Sequence, residues 1–110
     1  MSQVRQIQAD APLVTLINVF TVKPEDQSRS IALPNEVTET TIRNMPGFIS
    51  TNVHKRLNGT RVANHAQWRS REKCKAMLRD PETTAHMGLI REVAAFKVQL
   101  YDVSAVHSVW

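Results

Sequence analysis

The stretch RVANHAQWRSREKC, residues 61–74, carries the most chemically distinctive side chains of the sequence. An amide (Asn64), an imidazole (His65) and an indole (Trp68) fall close together in a segment whose composition favours a β-strand. Side chains alternate between the two faces of a strand, so Asn64 and Trp68 share one face while His65 and Gln67 share the other. Ala66 lies between Asn64 and Trp68 on this face and is small enough to leave space between the amide and the indole N–H. This arrangement predicts one wall of a ligand pocket.

Residues elsewhere in the chain have the types and positions to complete such a pocket. Asn18 shares its parity with Leu16 and Phe20 in an apolar segment, where a buried amide is costly unless it is hydrogen-bonded. His86 lies three residues before Leu89 on the apolar face of a predicted helix and would serve as an acid or base near neutral pH. Apolar walls with a few convergent donors suit a flat aromatic ligand that carries oxygen.

Each of these residues also has a purely structural interpretation. A Trp at the end of a strand is more often a core anchor, and a His on an apolar helix face is more often a hydrogen-bonded core residue. Asn18 and Asn64 would then bond the backbone at strand ends or bulges. Cys74 has the character of a small buried hydrophobic residue. The hypothesis of a pocket therefore depends on the convergence of several residues and not on any one of them.

Composition and charge exclude several classes of function. The chain has 110 residues, of which 42% are hydrophobic and 22% charged, as in a globular domain. Its net charge of +4 comes from scattered Lys and Arg, without the basic, aromatic-rich face typical of nucleic-acid binding. The sequence has no P-loop, dinucleotide fingerprint, nucleophile elbow or local His and Cys metal motif. We therefore expect no nucleic-acid partner, no metal site and no tightly bound flavin.

The cysteine content and the N-terminal residues bear on location. Cys74 is the single cysteine, so no intrachain disulfide can form. The first twelve residues lack the apolar core of a signal peptide, and no window approaches the roughly 20 apolar residues of a membrane span. We expect a cytoplasmic protein without membrane contact. Its predicted organisation is a polar arm at residues 1–12 and a single domain at residues 13–110.

The spacing of apolar and turn residues predicts four strands and three helices. Strands are predicted at residues 13–22, 48–57, 61–68 and 97–106, with a hairpin turn at Asn58-Gly59. The first helix is predicted from Pro24 to Asn44, kinked or split at Pro34. Two shorter helices are predicted after the caps Ser70 and Asp80, the second ending at about Ala95.

The resulting order β, α, β, β, α, β, with the second helix broken in two, matches the ferredoxin-like split βαβ arrangement. This predicts an α+β fold in which helices cover one side of a four-stranded antiparallel sheet. The first strand is apolar on both parities, with Leu16, Phe20 and Val22 on one and Ile17 and Val19 on the other. The helices are expected to cover one face of the sheet only. A second copy is expected to cover the other face, which gives a homodimer in the form of a dimeric α+β barrel. His65 and Gln67 would face the partner subunit.

Several motifs resemble those of the antibiotic biosynthesis monooxygenase family, whose members are dimeric α+β barrels of about this length. The motifs are NMPGF before the second strand, VANHAQWRSREKCKAM after the hairpin, and the DP that follows. The resemblance extends over roughly residues 13–102 and is strongest in NHAQW. Within the family it is closest to the cofactor-free, quinone-forming monooxygenases of aromatic polyketide pathways. PGF and W-x-S are shared across the superfamily and support the fold more than the substrate.

The resemblance implies a cofactor-independent oxidation of a small phenolic or hydroquinone aromatic substrate to a quinone, with O2 as co-substrate. In those enzymes the strand Asn and Trp contact the oxygens of the phenol, and the resemblance gives these roles to Asn64 and Trp68. Together with His86 as acid or base, they form the predicted catalytic set. The predicted substrate contacts are Asn18, Phe20, Cys74 and Met77.

Departures from the family pattern keep two alternatives open. A tyrosine of the quinone-forming enzymes falls at Cys74, and a helix arginine falls near His86 or Met87. A haem-degrading branch of the superfamily uses an Asn on the first strand and a His on the last helix, near Asn18 and His86; haem would then be the substrate. Met77, however, stands where that branch has a Trp. The other alternative is a non-catalytic dimeric barrel that binds a ligand.

Overall fold

The computed structural model describes residues 13–107 and 109, and the polar arm predicted at residues 1–12 lies outside them. The elements in chain order are β1 (Val14–Val22), α1 (Gln27–Thr40), β2 (Phe48–Lys55), β3 (Arg61–Trp68), α2 (Arg71–Arg79), α3 (Pro81–Arg91), β4 (Ala94–Ala95) and β5 (Val98–Asp102). Short 3-10 turns at Pro24–Asp26 and Ile42–Asn44 flank α1. Within the described ranges, no helix has the length and apolarity needed to cross a bilayer.

The strands form one antiparallel sheet with β1 at its centre. The order is β2-β3-β1-β4, and β5 also pairs with β1. The hairpin between β2 and β3 turns at Asn58-Gly59 as predicted, and Gly59 takes a φ of 83°, which glycine adopts without strain. With one helix between β1 and β2 and two between β3 and β4, this is the ferredoxin-like arrangement. The predicted α+β fold is therefore confirmed.

The described residues form five strands where four were predicted. β4 lies at the predicted end of the third helix, and β5 lies within the last strand predicted at residues 97–106 but ends at Asp102. β4 pairs with the end of β1, Val22 opposite Ala94, and β5 pairs with its beginning, Asn18 opposite Val98. The spacing from Asn18 to Val22 equals the spacing from Ala94 to Val98. No residue is therefore inserted between β4 and β5, and both strands pair with β1 in the same register. Only the ladder pairing around Phe96 is lost, and its side chain turns towards the helices.

The predicted caps set the starts of α2 and α3. Ser70 Oγ accepts a hydrogen bond from the backbone N–H of Lys73 at 3.2 Å. Asp80 Oδ2 accepts hydrogen bonds from the N–H groups of Glu82 and Thr83, both at 3.1 Å. Each cap satisfies donors that the first turn of a helix leaves without intrahelical partners, so both sequence predictions are confirmed.

The ends of α1 and α3 differ from the predictions. α1 continues through Pro34 without a split and ends at Thr40, where a 3-10 turn carries the chain to Asn44. A proline in the middle of the helix removes one backbone hydrogen bond, and the helix is otherwise continuous. α3 ends at Arg91 and not at about Ala95, because that alanine and the one before it pair with β1.

The two faces of the sheet differ in burial. Leu16, Phe20 and Trp68 are buried on the face covered by the helices, whereas Val19 on the opposite face is 45% exposed. Two core clusters lie on the helix side, one around Trp68 and the other around Phe20. The predicted alternation along β1 and β3 is therefore confirmed, and the space between the two clusters holds the candidate site.

Candidate active site

A cavity of about 70 Å³ lies between the sheet and the helices. The polar side chains that line it are Asn18, Thr38, Thr51, Asn64, Trp68 and Thr83. The rest of its wall is apolar and includes Leu16, Phe20, Met77, Met87, Ile90 and Phe96. The structure thus brings together five of the seven predicted site residues, namely Asn18, Phe20, Asn64, Trp68 and Met77.

Asn18 and Asn64 enter the cavity from adjacent strands. They are direct partners in the β1–β3 ladder, which places their Cβ atoms about 5 Å apart. Thr51 Oγ1 donates a hydrogen bond to Asn64 Oδ1 at 2.5 Å. This contact fixes the orientation of the Asn64 carboxamide and leaves its Nδ2 group to donate elsewhere.

Two buried polar atoms of the cavity wall have no hydrogen-bond partner among the described residues. They are the acceptor Asn18 Oδ1 and the donor Trp68 Nε1. The Trp68 ring is fully buried and packs edge-on against Phe48, with 5.5 Å between ring centroids. Core packing explains the ring but not the unpaired N–H. Since an unsatisfied buried polar group costs about 1–3 kcal/mol, a ligand that supplies both an acceptor and a donor would recover this free energy.

His86 does not lie over the cavity, and the predicted placement is wrong. Its Nδ1 is 3.1 Å from the carbonyl oxygen of Glu82, and its Nε2 is 3.8 Å from Glu36 Oε1 on α1. The residues of α3 that line the cavity are Thr83, Met87 and Ile90. His86 precedes Met87 by one position, which is about 100° around the helix, so its ring lies between α1 and α3.

Cys74, predicted as a substrate contact, also lies outside the cavity wall. It is fully buried in the core cluster that contains Trp68 and Met77. Burial raises the pKa of the Cys74 thiol to about 11, which keeps it protonated at neutral pH. Its place in the structure is that of a core residue beside the site.

Sequence reasoning missed Thr51, Met87 and Phe96. Thr51 was hidden by an irregularity in β2, where the register shifts between Phe48 and Ser50. Because of this shift, Phe48 and Thr51 both line the cavity although an odd number of positions separates them. Met87 was missed because His86, one residue earlier, was assigned to the inner face of the helix. Phe96 was missed because it falls between the predicted end of that helix and the predicted start of the last strand.

The described part of the cavity lining is uncharged. None of the described residues that line it is Asp, Glu, His, Lys, Arg, Cys or Tyr. The site can therefore orient a ligand oxygen, polarise it through neutral donors and exclude water. Among the described residues, its wall offers no acidic or basic side chain to take a proton from the ligand.

This arrangement can be compared with known proteins. The pattern that defines antibiotic biosynthesis monooxygenases matches residues 13–88. The chain belongs to the antibiotic biosynthesis monooxygenase family. It is 42% identical, over 98 residues, to tetracenomycin-F1 monooxygenase of Streptomyces glaucescens, covering 89% of this chain and 88% of that protein. The predicted family, and with it the prediction of a monooxygenase, is confirmed.

Solved structures of low sequence identity share the fold. SnoaB, a cofactor-independent oxygenase from Streptomyces nogalater, superposes with a TM-score of 0.74 at 21% identity, covering 87% of this chain and 97% of that one. Rv0793 from Mycobacterium tuberculosis gives a TM-score of 0.70 at 19% identity, again covering 87% and 97% of the two chains. These similarities support the ferredoxin-like architecture over nearly all of the described residues.

Proposed function

We propose that the protein is a cofactor-independent monooxygenase that uses O2 to oxidise a small phenolic or hydroquinone aromatic substrate to a quinone. The observation that carries the proposal is the pair of unpaired atoms Asn18 Oδ1 and Trp68 Nε1 in a largely apolar cavity. Family membership supports the reaction type. Similarity to a tetracenomycin-F1 monooxygenase and to a cofactor-independent oxygenase supports an aromatic substrate and the lack of a cofactor.

The proposed chemistry balances without an external reductant. The phenolic proton passes to bulk water before the substrate enters the cavity, and the electron-rich oxyanion that remains transfers an electron to O2. Recombination of the two radicals forms a carbon–oxygen bond on the ring. Loss of the ring hydrogen at that carbon and cleavage of the O–O bond leave a second carbonyl and release water. Phenol and O2 thus give quinone and water, with one oxygen atom from O2 in each product.

The residues of the cavity wall have distinct proposed roles. Trp68 Nε1 donates to the substrate oxyanion, where a preorganised donor in a dry site lowers the barrier most. Asn64 Nδ2 is the second donor, oriented by Thr51. Asn18 Oδ1 accepts from a second substrate hydroxyl, and Phe20 with Met77 forms the apolar wall. His86 has no proposed part in catalysis, because its imidazole lies against Glu36 outside the cavity.

We also propose that two copies pair through the sheet face opposite the cavity. Val19 and Tyr101 lie on this face and are 45% and 43% exposed. His65 lies there too, with its ring centroid 5.6 Å from that of His54. Isologous pairing of two such sheets would bury these side chains. A monomeric mass in light scattering at micromolar concentration would overturn the dimer.

The single, buried cysteine suits a reducing compartment, and a cytoplasmic location is proposed.

The alternatives have less support. Asn18 lines the cavity, as haem degradation would require, but His86 lies outside it. Met77 occupies the part of the wall where the haem-degrading branch has a Trp. Hemin titration tests this alternative, because binding would shift the Soret band. A non-catalytic ligand-binding protein would bind phenols in the same cavity without consuming O2.

The experiment that tests the proposed function is an oxygen-electrode screen of phenols, naphthols and anthrones, using protein dialysed against EDTA. We expect uptake of one O2 for each substrate oxidised, and 18O2 should place one labelled atom in the quinone. Binding of these compounds by calorimetry without any oxygen uptake would replace the monooxygenase with the binding-protein alternative.

A further inference from the structure

The cavity beside Trp68 is too small for an aromatic ring as it stands. Its volume is about 70 Å³, whereas an apolar cavity that takes up benzene measures about 150 Å³. Substrate entry therefore requires that part of the wall move. The wall is built from strand residues held in the sheet and from side chains of the three helices, and the latter can move at lower cost.

A surface groove adjoins the Met77 side chain of α2. The groove has a volume of about 290 Å³ and is lined by Met45, Pro46, Lys73, Ala76, Met77 and Asp80. Four of these residues are spaced three and four apart and so form one stripe along α2 and its C-cap. Met77 is the one described residue that lines both the groove and the cavity.

The properties of Met77 suit it to a movable wall. Met77 is 6% exposed and lines both the cavity and the groove. Methionine is unbranched, with three rotatable bonds, and adapts to irregular space more readily than other apolar side chains. A rotation of Met77 would join the two spaces, and the combined volume reaches the range of roughly 300–1,000 Å³ typical of small-molecule sites.

We propose that the groove is the outer part of the binding site and that Met77 is the partition that sets how long an aromatic ligand it accepts. The phenolic ring lies beside Trp68 and Asn64, and further rings extend past Met77 towards Met45. This inference rests on the proposed function, since it assumes that the cavity binds a phenol. It identifies Met77 as the residue that determines specificity for ligand size.

Met87 provides a matched control, because it lines the cavity but not the groove. Truncation of either methionine to alanine removes the same atoms, but only Met77→Ala joins the two spaces. Equilibrium dialysis under nitrogen would measure binding of phenol, with one ring, and 1-hydroxyanthraquinone, with three. We expect Met77→Ala to tighten binding of the three-ring probe relative to phenol about tenfold and Met87→Ala to change this ratio less than about twofold. Both variants should affect phenol alike.

Met77→Leu keeps the core filled if the alanine variant does not fold, since leucine has a similar volume but a stiffer side chain. We expect it to weaken binding of 1-hydroxyanthraquinone about threefold and binding of phenol by a smaller factor. Equal effects of Met77→Ala and Met87→Ala on the three-ring probe would overturn the partition while the proposed function stands. Failure of the wild-type protein to bind either probe would overturn the proposed function and this inference with it.

Discussion

Asn18 and Asn64 stand directly opposite each other in the β1–β3 ladder, with both amides on the cavity side of the sheet. Two adjacent amides in a core are expensive unless they are hydrogen-bonded. Asn64 is partly satisfied by Thr51, but Asn18 Oδ1 has no partner among the described residues. The unpaired Asn18 amide oxygen therefore lowers the free energy of unfolding of the ligand-free protein, and this effect can be measured.

Replacing Asn18 with leucine should separate stability from function. Leucine has a similar shape and removes the unsatisfied oxygen, so the free energy of unfolding should stay constant or rise by about 1 kcal/mol. Affinity for a dihydroxy aromatic ligand should fall about tenfold, because one hydrogen bond to the ligand is lost. Urea denaturation and calorimetry check the two halves of this prediction.

Thr15→Val is the matched control for Asn18→Leu on the other face of the same strand. Thr15 Oγ1 donates to Gln67 Oε1 at 3.1 Å, so this polar group is paired. The substitution should lower the free energy of unfolding by about 1 kcal/mol and leave turnover unchanged. A large loss of stability in Asn18→Leu would instead show that the Asn18 amide has a structural role.

The hydrogen bond from Thr51 to Asn64 should matter for turnover and little for the fold. Thr51→Val removes the donor that orients the Asn64 amide, and we expect turnover to fall about fivefold, the factor that one hydrogen bond of roughly 1 kcal/mol is worth. Thr51→Ser retains the hydroxyl and should restore most of the rate. Equal rates for the valine and serine variants would contradict this role.

The pH dependence of turnover should follow the substrate and not the protein. The described residues that line the cavity do not ionise near neutral pH, so the rate should rise with pH through the pKa of the phenol itself. A more acidic phenol should lower the midpoint by the difference between the two phenol pKa values. His86→Gln should leave the profile unchanged.

A contrary result for the pH profile is also well defined. A midpoint that stays constant from one phenol to the next and disappears in His86→Gln would give His86 the role of base. That outcome would require the helix that carries His86 to turn when the ligand binds.

The parts of the site that the sequence predicts are those that depend on strand alternation. A strand has two faces, so the parity of Asn64 and Trp68 allows only one shared orientation, and the structure agrees. On a helix, side chains point in many directions around the axis, so the spacing around His86 does not fix which residue faces the cavity. His86 was assigned to the face of Leu89, but Leu89 is 41% exposed and the cavity stripe lies one residue away.

Local irregularities limit prediction in the other strands. The shift in β2 brings Thr51 to the cavity face, and no single residue in the sequence marks that shift. Between β4 and β5, the ring of Phe96 packs against Phe20, with 5.1 Å between centroids, and the ladder to β1 is interrupted there. Both features depend on contacts between distant segments, which local residue patterns do not encode.

The stability of the protein should fall at high pH because of Cys74. Burial raises the pKa of this thiol from 9.0 to about 11, so above pH 9 the unfolded chain ionises while the folded chain keeps its proton. The corresponding stabilisation is present below pH 9 and is lost as the pH rises towards 11. Urea denaturation between pH 8 and 11 should show a steeper decline for the wild type than for Cys74→Ala. Parallel declines would contradict burial as the cause.

The measurement that tests the central proposal most directly is oxygen uptake by the wild type and by Trp68→Phe with the same hydroquinone. Phenylalanine keeps an aromatic ring in the core but removes the unpaired Nε1 donor, and the loss of such a donor typically lowers the catalytic rate by about a hundredfold or more. We predict that Trp68→Phe remains folded, as judged by circular dichroism, and loses at least about tenfold in turnover. Equal rates of oxygen uptake by the two proteins would contradict the assignment of this cavity as the active site.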